Sequence, residues 1–151
     1  MVITEFCLLG KETIKRLLSK VQARKGEIMI NVKIDDRESS KVAIIESTDI
    51  LINDPQDALD LMATIMHLHD CTKIVINESS ITKSFFDLKT GIAGEILQKF
   101  STYQMKLAIV GDFSIYTSKS LKDFIFESNK GSQVFFLSNE EEAIKRLHNV
   151  K

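Results

Sequence analysis

Two carboxylates follow consecutive apolar runs that are typical of buried strands. Glu78 comes two residues after the run 73–76, and Asp112 comes two residues after the run 107–110. In an open α/β sheet, the carboxyl ends of the parallel strands form the usual ligand-binding edge. Carboxylates placed there can act as an acid and base pair or bind a cation. No His or Cys stands nearby in sequence as nucleophile or base, so a hydrolytic or small-molecule-binding site at Glu78 and Asp112 is kept as an alternative.

A cluster of histidines resembles a metal site in print. His67 and His69 are separated by one residue, and Cys71 follows them. On a helix, residues two positions apart point about 200° away from each other, so these two side chains cannot chelate one ion. The ligand number and the geometry both fall short of what a transition metal requires. The sequence therefore predicts no metal at His67 or His69.

Gly91 and Gly94 form the nearest approach to a glycine-rich motif, but they match neither GxGxxG nor a P-loop. We therefore predict no cofactor. Both glycines fall inside a predicted helix, where each destabilises by about 1 kcal/mol relative to Ala. Close packing of this helix on the sheet is the favoured reason for them. Close approach of a partner or ligand is the other.

The elements that position these residues alternate regularly. Period-two alternation predicts an antiparallel hairpin of strands near 30–34 and 41–46. Continuous apolar runs predict parallel strands at 73–77, 106–110 and 133–137. Helices are predicted from Pro55 to about His69, from near Asp87 to about Tyr103, from Ser118 to Asn129, and after Asn139. The predicted fold class is thus α/β, a mixed and mostly parallel five-stranded sheet in the order ββαβαβαβα, with an additional N-terminal helix.

Composition excludes several functions. The net charge is −1, which argues against a nucleic-acid-binding protein taken as a whole. No apolar run approaches the roughly 20 residues of a membrane span. Two cysteines without CxxC spacing indicate a reducing compartment, and we expect a cytoplasmic protein.

Residues 1–28 differ from the rest, with six Lys/Arg against three Glu. Within them, 11–25 predict a basic amphipathic helix, which we interpret as a docked surface helix. Nucleic-acid contact through this helix is a third, less favoured function. Lys25, Gly26 and Glu27 can be encoded by a purine-rich stretch that resembles a bacterial ribosome-binding site. Translation could therefore start at Met29, and this is left open. We therefore divide the chain into an N-terminal basic helical extension, 1–28, and a single α/β domain, 29–151, and we expect a chain starting at Met29 to fold.

Several apolar residues lie off the predicted core stripes. These are Leu59 and Met66 in the first helix and Phe126 in the third, with Phe85 and Phe86 adjacent in a loop. Several such residues on neighbouring helices suggest an interface, and a homodimer is left open.

The stretch from Val42 to Leu147 resembles an uncharacterised bacterial family, a domain of unknown function. The strings that carry this resemblance are DALDLMA, FFDLKTGIAGEILQKF, KLAIVGDFS and SLKDFIFESNKG. More distantly, the layout is similar to the STAS domain of sulfate transporters and anti-sigma factor antagonists. The acidic-then-small sequence from Asp87 to Ile92 and the closing string VFFLSNEEEAIKRL carry this second resemblance.

The STAS resemblance implies a binding switch that presents the loop and helix start after the middle strand to a kinase or regulator. Some STAS modules are phosphorylated at a serine just before a Ser/Thr-Gly pair. With Thr90 and Gly91 aligned to that pair, the acceptor position is Lys89, which cannot take the phosphate.

We therefore expect a STAS-like regulatory or protein-interaction module that is non-enzymatic, although catalytic activity is left open. It would bind an unidentified protein partner and associate with neither membrane nor nucleic acid. The expected partner-binding residues are Ser80, Thr82, Asp87, Lys89, Thr90, Asp112 and Ser114.

Overall fold

The computed structural model describes residues 30–37, 40–47 and 49–150. Five strands form one sheet, and they lie side by side in sequence order. The strands are Ile30–Arg37 (β1), Ser40–Ser47 (β2), Lys73–Asn77 (β3), Lys106–Val110 (β4) and Val134–Leu137 (β5). The described residues also form four α-helices, Pro55–His69 (α1), Ile92–Thr102 (α2), Lys119–Lys130 (α3) and Glu140–Asn149 (α4). The predicted α/β class with a five-stranded sheet is confirmed.

The sheet is mixed, as expected. β1 runs antiparallel to β2, with Ile30 opposite Ser47 and Arg37 opposite Ser40. β2 to β5 are parallel to one another. The three parallel connections step in the same direction along the sheet, and right-handed crossovers then place their helices on one face.

Two layers of core result from this arrangement. The larger layer packs α1, α2 and α3 on one face of the sheet, with Ile74, Ile76 and Leu107 among its buried side chains. The smaller layer lies on the other face and includes Val75 and Ala108 of the sheet. Three residues of α4 complete the smaller layer, Ala143, Ile144 and Leu147. Alternate residues of β3 and β4 thus enter opposite layers, as the pleat of a strand requires.

Side-chain caps start three of the helices at the residues that the sequence indicates. The carboxylate of Asp54 accepts a hydrogen bond from the N–H of Asp57 at 2.8 Å, and Pro55 opens α1. Ser118 accepts from Leu121 N–H at 3.2 Å, and Asn139 accepts from Glu142 N–H at 2.8 Å. Each cap satisfies an amide that has no partner within its own helix.

The helix predicted from near Asp87 begins later, at Ile92. Leu88–Thr90 forms a single 3-10 turn, and the Asp87 carboxylate accepts from the N–H of Lys89 at 3.3 Å. Gly91 separates this turn from α2 with a φ of 76°, a left-handed conformation that glycine adopts readily. Gly91 is therefore a junction between two helical segments and does not lie inside the helix.

Residues 1–28, with their predicted basic helix, lie outside the described part of the chain. Across residues 30–37, 40–47 and 49–150, no helix has the length and apolar character needed to span a membrane.

Candidate functional site

The surface at the start of α2 is held in shape by Thr90. Its Oγ1 lies 2.8 Å from the carbonyl oxygens of both Ser84 and Asp87. The same hydroxyl oxygen accepts a hydrogen bond from the N–H of Ile92 at 3.3 Å. Thr90 thus joins an earlier 3-10 turn, Lys83–Phe86, to the first residue of α2. Lys89 is exposed beside it, so the structure presents this cation on a fixed turn.

Gly94 is an exposed residue in the first turns of α2. A Cβ built on it would meet no atom within 4 Å apart from its own helix backbone and chain neighbours. Gly94 borders a hollow of about 500 Å³ that is also lined by Pro55, Glu95, Gln98 and Lys99. Close packing of these glycines on the sheet was the favoured expectation, and it is wrong. Gly91 serves the backbone turn, and Gly94 faces open space.

Ser80 and Thr82 lie in the segment that follows β3. Ser80 is fully buried, and its carbonyl oxygen accepts hydrogen bonds from the amides of Leu51 at 2.8 Å and Ile52 at 3.1 Å. The half-buried Thr82 donates its own N–H to the carbonyl oxygen of Ile52 at 2.8 Å. These bonds tie the segment after β3 to the segment before α1. In this conformation the Ser80 side chain cannot reach a partner, because the chain itself covers it.

The two strand-end carboxylates are neighbours. Asn77 of β3 and Val110 of β4 are paired in the sheet, which brings Glu78 beside Gly111 and Asp112. Glu78 Oε1 accepts the backbone N–H of Asp112 at 3.1 Å. A Cβ at Gly111 would lie 2.5 Å from the Glu78 side chain, so glycine allows the carboxylate to lie there. The sequence does not fix the separation of these two residues, and the structure makes them direct neighbours.

Both carboxylates are engaged by their own chain. Glu78 Oε2 accepts the hydroxyl of Tyr116 at 3.3 Å, and burial followed by the charge of Glu78 raises the pKa of that tyrosine. Asp112 Oδ1 accepts the Oγ–H of Ser114 at 2.5 Å and its N–H at 3.1 Å. These donors stabilise the ionised form, so they hold the pKa of Asp112 below its ordinary value. Ser114 thus organises the loop around Asp112.

Aromatic side chains pack against one another next to this edge. Phe85 and Phe86 are buried, with ring centroids 5.0 Å apart. Phe86 also stacks on Tyr116 at 5.1 Å. The adjacent phenylalanines therefore belong to the core and offer no apolar interface. Phe126 is 61% exposed on α3, whereas Leu59 and Met66 pack partly buried against the larger core layer.

His67 and His69 both belong to α1, and His69 is its last residue. Within the described ranges, no group of three or more His, Cys, Asp or Glu side chains is arranged to hold a metal ion. Cys71 is buried, and this burial raises the pKa of its thiol.

A second polar cluster lies at the opposite edge of the sheet, where β2 and β3 begin. Ser40 Oγ is 2.8 Å from His148 Nδ1, and His148 Nε2 is 2.7 Å from Asp35 Oδ1. Lys73 Nζ donates to Ser40 Oγ at 3.1 Å. The sequence does not indicate this cluster, because His148 stands 108 residues after Ser40 and no motif joins them. The predicted topology gives one indirect indication, because it places the starts of the parallel strands, and with them Ser40 and Lys73, at one edge.

The fold and the α2 surface define a single-sheet α/β domain with one fixed turn presented at a helix start. Residues 37–147 match the family described as Domain of unknown function (DUF4180), and the chain belongs to this family. No curated protein matches the chain.

Proposed function

We propose that this chain is a cytoplasmic, STAS-like regulatory module that binds a protein partner through the turn and first residues of α2. The observation that supports this most directly is Gly94. A glycine inside a helix destabilises by about 1 kcal/mol relative to alanine, and here no neighbouring group requires its small size. A partner group that packs directly against the backbone of Gly94 would explain why this position has no side chain.

The chemistry around Gly94 suits a protein surface. Asp87, Lys89, Glu95 and Lys99 place both signs of charge within two turns of the helix start. Such a mixed rim suits a partner with complementary charges of both signs and is unsuited to a polyanion, which requires a concentrated positive field. A polar rim around a recessed centre is also the usual organisation of a protein interface.

Binding here would be constitutive. Lys89 carries no hydroxyl at the position aligned with the STAS phosphoacceptor. The neighbouring Thr90 hydroxyl is engaged by two carbonyl oxygens and an amide of its own chain. Charge complementarity at Lys89, rather than phosphorylation, would govern affinity.

The alternative, a hydrolytic or small-molecule site at Glu78 and Asp112, has one supporting observation, namely their proximity. Each carboxylate already accepts two hydrogen bonds from the loop that follows β4. An acid or base must exchange a proton with a substrate, and these contacts compete with that role. The interaction module is therefore the better-supported proposal.

The test uses Gly94→Gln, which places a flexible side chain in the hollow while favouring the helix. Ser120→Gln, at an exposed position of α3, is the matched control. A partner is first captured from the native host by cross-linking to the unchanged chain, and its affinity for each purified variant is then measured. We expect Gly94→Gln and the charge reversal Lys89→Glu each to weaken binding by about tenfold or more, since unfavourable charge contacts at an interface cost several kcal/mol.

Ser120→Gln should bind like the unchanged chain. If the partner is a second copy of this chain, sedimentation should show a dimer that Gly94→Gln converts to monomer. Should both α2 variants fold and retain full affinity for every captured partner, the surface is not the binding site.

A further inference from the structure

With His148 neutral, the cluster of Ser40, His148 and Asp35 has one hydrogen-bond direction. An ionised Asp35 can only accept, so Nε2 of His148 carries the hydrogen that faces it across 2.7 Å. In neutral imidazole the other nitrogen, Nδ1, is then an acceptor. It lies 2.8 Å from Ser40 Oγ, so the serine hydroxyl donates to it. A hydroxyl, an imidazole base and a carboxylate that orients the base are thereby connected in series.

The Lys73 ammonium contacts the hydroxyl oxygen of Ser40. Lys73 Nζ donates to Ser40 Oγ at 3.1 Å and to the carbonyl oxygen of Val150 at 2.8 Å. Desolvation lowers the pKa of the Lys73 ammonium, because it is partly buried between β3 and the end of α4. An ammonium in this position stabilises negative charge on the oxygen. Asp35 is held in turn by Arg37, whose Nε lies 2.8 Å from Oδ1.

The hydroxyl is reachable from outside. Ser40 is half-buried and borders two hollows, of about 510 Å³ and about 430 Å³. The first is also lined by Arg37, Lys145, His148 and Asn149. The imidazole itself is shielded, with only 8% of its side chain exposed. A substrate can therefore contact the serine while the base stays out of bulk water.

We propose that Ser40 is a nucleophile that accepts an acyl group from a small ester, with His148 as its general base and Asp35 as a positioning residue. This activity is distinct from the partner surface, which lies at the other edge of the sheet. Arg37 and Lys145 line the same hollow as Ser40 and indicate an ester that carries a carboxylate.

The reaction balances without any further group. The Ser40 proton moves to His148 Nδ1 as the Oγ–carbonyl carbon bond forms. The ester C–O bond then breaks, and the leaving alcohol takes the proton from Nδ1. Water attacks the acyl-serine and gives its proton to Nδ1. This proton returns to Oγ, which releases the carboxylic acid.

The first experiment is labelling with a fluorophosphonate, which forms a Ser Oγ–phosphorus bond with loss of fluoride. Peptide mass spectrometry should place the label on Ser40. Ser40→Ala should abolish this label, and His148→Gln should slow it by about a hundredfold, the usual range for loss of a general base. Ser47→Ala, at the other end of β2, is the matched control and should label like the unchanged chain.

The second experiment measures turnover of mono-p-nitrophenyl succinate against neutral p-nitrophenyl acetate. Lys145→Gln should lower turnover of the succinate ester more than turnover of the acetate ester, and so reduce the preference for the succinate ester. Asp35→Asn should lower both rates, and Asp35→Glu should restore part of them at a similar melting temperature. If the folded, unchanged chain labels Ser40 no faster than its other serines, or hydrolyses neither ester faster than Ser40→Ala, the cluster only fastens α4 to the hairpin.

Discussion

At Asp112, two donors on one neighbouring residue fix both the geometry and the charge of a loop. The Ser114 hydroxyl, and after it the Ser114 amide, lower the pKa of the Asp112 carboxyl. A carboxyl whose pKa is depressed on folding binds fewer protons in the folded chain than in the unfolded one. Its contribution to stability is therefore present above the ordinary carboxyl pKa and is lost as the pH falls through the folded value.

Ser114→Ala removes the hydroxyl, which lowers the pKa of Asp112 more than the amide does, and leaves the amide in place. We expect the pKa of Asp112 to rise toward its ordinary value without reaching it, because one hydrogen bond remains. Titration of the Asp112 carboxyl carbon by NMR measures this directly. Ser79→Ala, at an exposed serine beside Glu78, should leave the value unchanged. An unaltered Asp112 titration in Ser114→Ala would contradict the assignment.

From the sequence, the strand ends place Glu78 and Asp112 at one edge of the sheet but do not fix the distance between them. Glu78 and Asp112 meet because residues that follow paired strands share an edge. Ser40 and His148 meet because the end of α4 returns to the start of β2, and this depends on the length of α4 and the face on which it packs. Sequence spacing contains neither quantity, so the second cluster is visible only in three dimensions.

At the scale of elements, local capping chemistry predicts the starts of three of the four described helices. Asp54, Ser118 and Asn139 each begin a helix through a side-chain hydrogen bond to an amide three residues later. The prediction fails at the start of α2, because periodicity alone does not distinguish a 3-10 turn followed by a left-handed glycine from a continuous helix. Gly91 and Gly94 therefore look equivalent in sequence, although their roles differ.

Alanine substitution separates these two roles. Gly91→Ala places a Cβ on a residue with a φ of 76° and should destabilise the fold by about 1–2 kcal/mol. Gly94→Ala adds a methyl group in open space within a helix and should stabilise by up to about 1 kcal/mol. Urea unfolding at equilibrium measures both changes. Equal effects of the same sign would show that the glycines are equivalent after all.

At the scale of the whole molecule, the two faces of the sheet are unequally covered. Three helices pack on one face, whereas α4 is the one described helix on the other. The smaller layer therefore depends heavily on Leu147, which is fully buried one residue before His148. The packing of this leucine and the position of the Ser40 cluster are consequently linked through the last turn of α4.

Leu147→Ala tests this dependence. Truncating a buried leucine removes its transfer free energy and leaves a cavity, which together cost about 2–5 kcal/mol. Leu68→Ala is the matched control, because Leu68 is 59% exposed near the end of α1 and the same truncation there should change stability by no more than about 0.5 kcal/mol. Equilibrium unfolding gives both values. Fluorophosphonate labelling of the folded Leu147→Ala chain should also be slower than that of Leu68→Ala, since the cavity loosens the adjacent imidazole. A Leu147→Ala chain as stable as Leu68→Ala would show that α4 is dispensable to the core.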